Sequence, residues 1–295
     1  MPEASGYQRR TSVVRGILAV LLAMFLFAAM DAINKHQSLT YAASQILLVR
    51  YVVFALFSLW LARRHLGAYV RSRRPGLQVL RSMLLIVEML TFVLALRYMP
   101  IADVHAVAAS TPLMVTALSR PLLGESVSAR QWLAVIGGFV GVLIIVRPGI
   151  IAFDWPVLLV LAGAAMFAFY QIALRVVSRD DPPETTVIYS AFVGLTAVST
   201  VGPFQWQTPD LAAWALFVVA ALLGCFAHLA MTRALDYAPA AVVQPYSYTL
   251  MVWAALMGWI GFSQFPDLWT IVGGAVVAAS GLYAWVSSRP AAPAR

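Results

Sequence analysis

The sequence predicts an all-α integral membrane protein of ten transmembrane helices, arranged as two inverted five-helix repeats. Three observations predict this. Hydrophobic residues make up 62% of the 295-residue chain and charged residues only 11%, against roughly 45–50% and 25% in soluble domains. One soluble core could not hide that much apolar surface, whereas a bilayer accepts it. The apolar residues fall into runs near the length of about 20 residues that a spanning helix needs. Finally, the second half of the chain repeats features of the first at a nearly constant offset.

Taken in order, the expected spans are 14–35, 44–62, 76–98, 101–119, 131–146, 155–177, 184–203, 210–234, 240–262 and 267–287. Residues 1–13 and 289–295 are left as tails, 14–149 as the first repeat and 150–288 as the second. Arg9, Arg10 and Arg15 before the first run resemble a secretory leader, but the run is long and no small-residue cleavage site follows, so it is expected to remain as the first span. Two connections are tight corners at Met99-Pro100 and Ala238-Pro239, where proline interrupts a helix.

Orientation follows from the lysines and arginines, which concentrate on the cytoplasmic side of a membrane protein. With the N-terminus inside, the inner segments hold Arg9, Arg10, Arg15, Arg63, Arg64, Arg71, Arg73, Arg74, Arg120, Arg130, Arg175, Arg179, Arg233, Arg289 and Arg295, fifteen in all. The outer segments hold Lys35, Arg97 and Arg147, and Arg50 and Arg81 lie within spans, completing the twenty. Both termini are therefore expected to be cytoplasmic.

The net charge of +8 does not indicate nucleic acid, because the basic residues flank apolar runs instead of forming a patch with interleaved aromatics. The lipid bilayer surface is the expected contact. A single cysteine, Cys225, excludes an internal disulfide, and His36, His65, His105 and His228 lack metal-ligand spacing. Neither metal nor cofactor is expected.

The repeat is clearest where Ala95–Val104 is set against Ala234–Val243, with six of ten positions identical at an offset of 139. Phe27–Lys35 aligns with Phe167–Arg175 at 140, and Ile136-Gly137-Gly138 with Val272-Gly273-Gly274 at 136. Five spans in each half place the second half upside down relative to the first, a design common in secondary transporters. The Ala-Leu-Arg-Tyr-Met-Pro corner, Leu122-Leu123-Gly124-Glu125 and Gly137-Gly138-x-x-Gly141 resemble the EamA-type domain of the ten-helix drug/metabolite transporter superfamily. The second half resembles another copy, weakened where Ser263-Gln264 replaces Gly-Glu. The resemblance covers essentially the whole chain. It implies a carrier of small solutes such as amino acids, nucleosides, riboflavin or S-adenosylmethionine in the bacterial inner membrane, and its motifs carry no information on substrate.

Ionisable groups within spans are costly and commonly mark a pathway. Asp31 in the first span has Gln171 as its repeat mate, and His105 in the fourth has Gln244 in the ninth. Inversion would then give two polar layers, Asp31 with His105 outside and Gln171 with Gln244 inside. For each residue singly, a packing contact between helices explains it equally well. The symmetric placement favours a pathway. Glu88 and His228 sit near mid-depth in the third and eighth spans, where a carboxylate and an imidazole can pass protons. Arg50 is placed to pair with Asp31, as gate or brace. Tyr246 and Tyr248 crowd the ninth span, either lining a cavity or resting at an interface. Gly137-x-x-x-Gly141 and Gly274-x-x-x-Ala278 permit close helix contact, serving either internal packing or a homodimer seam through helices 5 and 10.

The leading functional reading is a secondary transporter working by alternating access, with proton coupling open. No Gly-x4-Gly-Lys-Ser/Thr loop is present to bind ATP. The alternatives are a membrane enzyme and a structural or sensory module. The first lacks a nucleophile elbow or a metal motif, and the second leaves Asp31, Glu88 and His105 without a purpose.

Overall fold

The computed structural model describes residues 3–63, 66–124, 126–147, 155–238 and 240–287. No strand occurs among them. The first half comprises α1 (Glu3–Ser38), α2 (Ala43–Ala62), the short α3 (Leu66–Tyr69), α4 (Pro75–Tyr98), α5 (Ile101–Ala108), α6 (Thr111–Leu123) and α7 (Ala129–Val146). The second comprises α8 (Pro156–Val177), α9 (Pro183–Val201), α10 (Leu211–Tyr237), the short α11 (Ala240–Val243), α12 (Thr249–Phe262) and α13 (Leu268–Ser287). Nine helical stretches among the described residues are long and apolar enough to cross a membrane.

Local chemistry explains where the helices start and stop. Proline opens α4, α8 and α9, a position where its missing N–H costs nothing. Ser128 and Gln131 form a reciprocal capping box on α7, and Asp210 accepts from the Ala213 N–H at 2.7 Å at the head of α10. Gly124 ends α6 in the left-handed region, with φ 69°. The expected tail 1–13 does not stay apart: α1 runs without a break from Glu3. The tail from 289, like Glu125 of the Gly-Glu motif, lies outside the described residues.

The largest departure from expectation concerns the fourth and ninth spans, each read from sequence as one helix. Both are broken. α5 stops at Ala108 and α6 resumes at Thr111, while α11 gives way to a 3-10 turn over Gln244–Tyr248 before α12 begins at Thr249. At the repeat offset of 139 these restart points differ by a single residue. Pro112 and Pro245 supply the local cause, since a proline donates no backbone hydrogen bond to the preceding turn and its ring clashes with the carbonyl four residues back.

The packing follows the same pseudo-symmetry. α1 lies along α10 and, as its repeat equivalent, α8 lies along α4; α2 pairs with α9, and α7 pairs with α13. Every major pair therefore joins one half to the other. Buried contacts between connections agree on which ends share a face. Ser12 near the start of α1 bonds the Tyr237 carbonyl, and Ser72 and Arg73 bond Asp181, on what we call the terminal face; Gln45 bonds Gln207 and Arg147 meets Asp267 on the opposite face.

The α7–α13 seam uses the glycines singled out in sequence. A Cβ on Gly141 would stand 2.8 Å from the Gly273 carbonyl oxygen and from Val277, and one on Gly273 would stand 2.6 Å from the Gly141 carbonyl oxygen. These close-approach faces are thus occupied within the chain, which accounts for both glycine motifs by internal packing. Gly141→Leu is expected to force the two backbones apart and to cost about 1–3 kcal/mol. Thermal unfolding in detergent or nanodiscs measures this, and an unchanged melting temperature would contradict the seam.

Candidate substrate pathway

Asp31 on α1 and His105 on α5, expected to share a layer, do so. The His105 Nε2 lies 3.2 Å from Asp31 Oδ2, with both side chains 6% exposed. The imidazole is not aligned to hydrogen-bond the carboxylate, for Nε2 has no hydrogen-bond partner. The Asn34 amide donates to the other carboxylate oxygen at 3.3 Å, and the Phe92 ring meets His105 edge-on at 5.3 Å. This layer lies toward the opposite face, because Lys35, one turn further along α1, reaches the corner after α4. Its ammonium donates to the carbonyls of Leu96 at 2.8 Å and Met99 at 2.7 Å and sits 5.5 Å from the centre of the Phe262 ring. Lys35 was counted among the outer loop charges; it is instead 3% exposed within α1, neutralising the carbonyl end of a neighbouring helix.

Arg50 does not pair with Asp31. Its guanidinium touches the Met30 sulfur and lies against Gly224 of α10, 3.8 Å from where a Cβ would stand. The close approach at Gly224 is to the Met30 sulfur, which would stand 2.9 Å from such a Cβ. The Arg50 charge acts on Glu88 of α4 and on Cys225 and His228 of α10. Glu88 and Arg50 are both half-buried, and His228 is exposed. The imidazole continues the α10 stripe of Phe217, Ala221 and Gly224, all three buried, and meets Phe27 of α1 edge-on at 5.0 Å. Glu88 and His228, the mid-depth candidates, both lie within electrostatic reach of Arg50.

Toward the terminal face lies a network that the sequence reading missed. Arg81, treated only as a charge within a span, is fully buried. It donates from Nε to Gln78 Oε1 at 3.2 Å, and from one terminal nitrogen to the Thr186 carbonyl at 2.9 Å and the Ser190 hydroxyl at 2.8 Å. The Tyr170 ring lies 5.1 Å from its guanidinium carbon, and Tyr170 stacks on Phe167 at 5.3 Å. Gln171, next to Tyr170, is half-buried. Nearer the surface, Asp181 accepts from the Arg73 N–H at 2.8 Å, from Gln78 Nε2 at 2.9 Å and from the Ser72 hydroxyl, and Arg74 meets Asp180 at 2.6 Å. All of these bonds except Arg81–Gln78 cross from the first half to the second. The acidic Asp180-Asp181 pair, placed by orientation on the same side as the loop arginines, was the signal available in the sequence.

Burial alone would raise the Asp181 carboxyl, but hydrogen bonds from Ser72, Gln78 and the Arg73 backbone hold it below the usual carboxylate range. A depressed folded value means that the carboxylate adds stability above about pH 4, where the unfolded group ionises, and loses it as pH falls through the folded value. Asp181→Asn is expected to cost about 1–3 kcal/mol at neutral pH and to flatten the acid limb of the stability profile below about pH 4. Unfolding midpoints across pH measure both, and an unchanged profile would contradict the latch.

The opposite face has a weaker counterpart. Gln45 exchanges two hydrogen bonds with the Gln207 backbone, at 2.7 and 2.9 Å, and Arg147 forms an ion pair with Asp267. In the ninth span, the side chain of Gln244 lies outside the described residues. Tyr246 is at the margin of exposure, at 36%. Tyr248 packs on α13 so closely that a Cβ on Gly281 would overlap its hydroxyl, which makes it a helix–helix contact. No group of three His, Cys, Asp or Glu side chains that could hold a metal occurs among the described residues.

This arrangement has relatives. The model of the EamA-like transporter family matches residues 14–147 and again 154–285. A riboflavin transporter of Vibrio cholerae is 27% identical over 90% of this chain and 91% of its own. An S-adenosylmethionine uptake transporter of Rickettsia felis is 24% identical over 94% of both, and the pseudopaline exporter CntI of Pseudomonas aeruginosa is 25% identical over 89% of this chain and 93% of its own. A solved protein structure of 17% identity superposes with a TM-score of 0.60 over 92% of this chain and 97% of that one, which shows the shared fold. Two matched copies of one domain, covering nearly all of a multi-pass helical chain, settle the assignment: the chain belongs to the EamA-like transporter family, whose members are small-molecule transporters and not enzymes.

Proposed function

We propose that the chain is a secondary carrier of a small organic metabolite, working in a bacterial inner membrane by alternating access of its two inverted halves. The observation that carries this reading is the pair of broken spans. They interrupt the fourth and ninth crossings at repeat-equivalent points. Discontinuous helices at the repeat interface free backbone groups that can meet a solute at mid-depth. Bonds between the halves on both faces would then open in turn, with solute biasing an equilibrium between the two states.

The terminal face is read as cytoplasmic, because it carries the excess of arginine. Reporter fusions at Arg147 and Arg179 should report opposite compartments; agreement between them would overturn the topology. Glu88 and His228 are read as the proton-handling pair, since both are accessible, ionisable and within reach of the Arg50 charge. The solute belongs with the small polar metabolites that relatives carry, such as riboflavin or S-adenosylmethionine, or with the amino acids and nucleosides. Purified protein in proteoliposomes, offered labelled amino acids, S-adenosylmethionine, riboflavin and nucleosides with and without a pH gradient, tests the reading. Accumulation of one solute above protein-free vesicles supports it; no movement of any of them would overturn it.

A further inference from the structure

A groove near the terminal face belongs to no part of the pathway. Leu59 of α2, Val70 of the 63–74 connection and Ile188, Tyr189, Phe192 and Val193 of α9 line one space of about 340 Å³. All six are apolar or aromatic. Val70 and Phe192 are 51% and 38% exposed, so the groove opens to the surroundings of the bundle. It lies near the ends of two spans. Leu59 is in the last turn of α2, which stops at Ala62, and Ile188 is in the second turn of α9, which starts at Pro183.

The mouth of the groove is basic. Arg71 directly follows Val70. Arg63 keeps helical backbone angles at the end of α2, which places it one turn beyond Leu59 on the same side. Both arginines are exposed, and neither has a hydrogen bond or ion pair among the described residues. The Arg63 guanidinium carbon lies 5.1 Å from the centre of the Trp60 ring, a cation beside an aromatic of the kind that sits at head-group level. The nearby acids are already committed. Asp180 takes Arg74, and Asp181 takes Ser72, the Arg73 N–H and Gln78. The 63–74 connection itself holds five arginines and no Asp or Glu.

Unpaired guanidinium groups over an apolar groove match a ligand with an anionic head and a hydrocarbon tail. Basic segments beside a span attract anionic lipid head groups, and a guanidinium takes a phosphate through two parallel N–H bonds. We propose that the groove holds an acyl chain of one anionic phospholipid, with Arg63 and Arg71 on its phosphate. Such a chain touches α2 and the connection from the first half and α9 from the second. Val70 is two residues from Ser72, and Tyr189 adjoins Ser190, both members of the terminal network. A bound lipid therefore ties the two halves together on this face, whichever solute is carried.

Delipidated full-length protein in detergent, titrated with phosphatidylglycerol, phosphatidylcholine of the same chains or glycerol phosphate, tests the site by native mass spectrometry and thermal unfolding. Phosphatidylglycerol is expected to be retained about tenfold more tightly than phosphatidylcholine and to raise the melting temperature. Glycerol phosphate, which has no chain, should do neither. Arg63→Gln combined with Arg71→Gln should bring phosphatidylglycerol down to the level of phosphatidylcholine. Without lipid this variant should melt like the wild type, because both side chains are exposed. Val70→Trp, which fills the groove from its exposed side, should weaken phosphatidylglycerol with both arginines in place. Equal retention of the two lipids, a preference that survives loss of both arginines, or retention unaffected by Val70→Trp would overturn the site. An equal response to glycerol phosphate would also overturn it, leaving only an anion contact at the surface.

Discussion

Glu88→Gln should lower the initial transport rate by about 10²-fold, in the range typical of losing a group that handles a proton, while leaving the melting temperature close to that of the wild type. The two expectations come from the same geometry. No hydrogen bond or ion pair ties Glu88 to the protein among the described residues, so the amide removes no structural contact. The side chain is nevertheless half-buried near the centre of α4, within electrostatic reach of Arg50 and Asp31. A carboxylate there without a hydrogen bond or ion pair among the described residues is explained by the work it does on a proton or a solute. The measurement is the initial rate per folded carrier in proteoliposomes across pH. A variant that keeps both the wild-type rate and the wild-type pH dependence would remove Glu88 from the mechanism.

Arg81→Ala should have the opposite signature, a large loss of stability together with an opened terminal face. The guanidinium is fully buried and joins Gln78 on its own helix to Thr186 and Ser190 on α9. Truncation leaves these groups without their partner and removes the cation from the Tyr170 ring. Unsatisfied buried groups at about 1–3 kcal/mol each put the expected cost at about 3 kcal/mol or more. Lysine keeps the charge but not the fork that serves several acceptors, so Arg81→Lys should fall between. If the network latches the two halves, a cysteine at Thr186 in a Cys225→Ala background should react faster with a small water-soluble thiol reagent in the Arg81→Ala protein. Loss of stability without a change in labelling would make Arg81 a brace and not a latch.

The two latches differ in the number of charged bonds they supply. On the terminal face, Arg81, Asp181 and Arg74 supply charged hydrogen bonds and an ion pair between the halves. On the opposite face, the halves are joined by the Gln45–Gln207 amide exchange and by the Arg147–Asp267 ion pair. Charge-assisted hydrogen bonds are roughly twice as strong as neutral ones. The terminal side carries the larger number of charged bonds between the halves among the described residues.

The sequence by itself determined the number and order of the crossings and the duplication. Backbone groups in a bilayer must be satisfied within the segment, so an apolar run of the right length can only be a helix, and its composition is enough to identify it. The depth of Asp31 and His105 within their spans also put them in one layer on paper, with Gln171 and Gln244 as their repeat mates. What only the tertiary structure decided was which polar groups meet across the halves. Arg81 and Asp181 stand a hundred positions apart on different repeats, and no periodicity links them. Arg50 meets the Met30 sulfur and not Asp31, and the close packing of Met30 on Gly224 of α10 could not be read from sequence. The breaks in the fourth and ninth spans also waited for the structure. A proline within an apolar run permits a helix start, a kink or a full interruption, and the neighbouring helices, supplying or withholding partners for the freed backbone groups, decide among them.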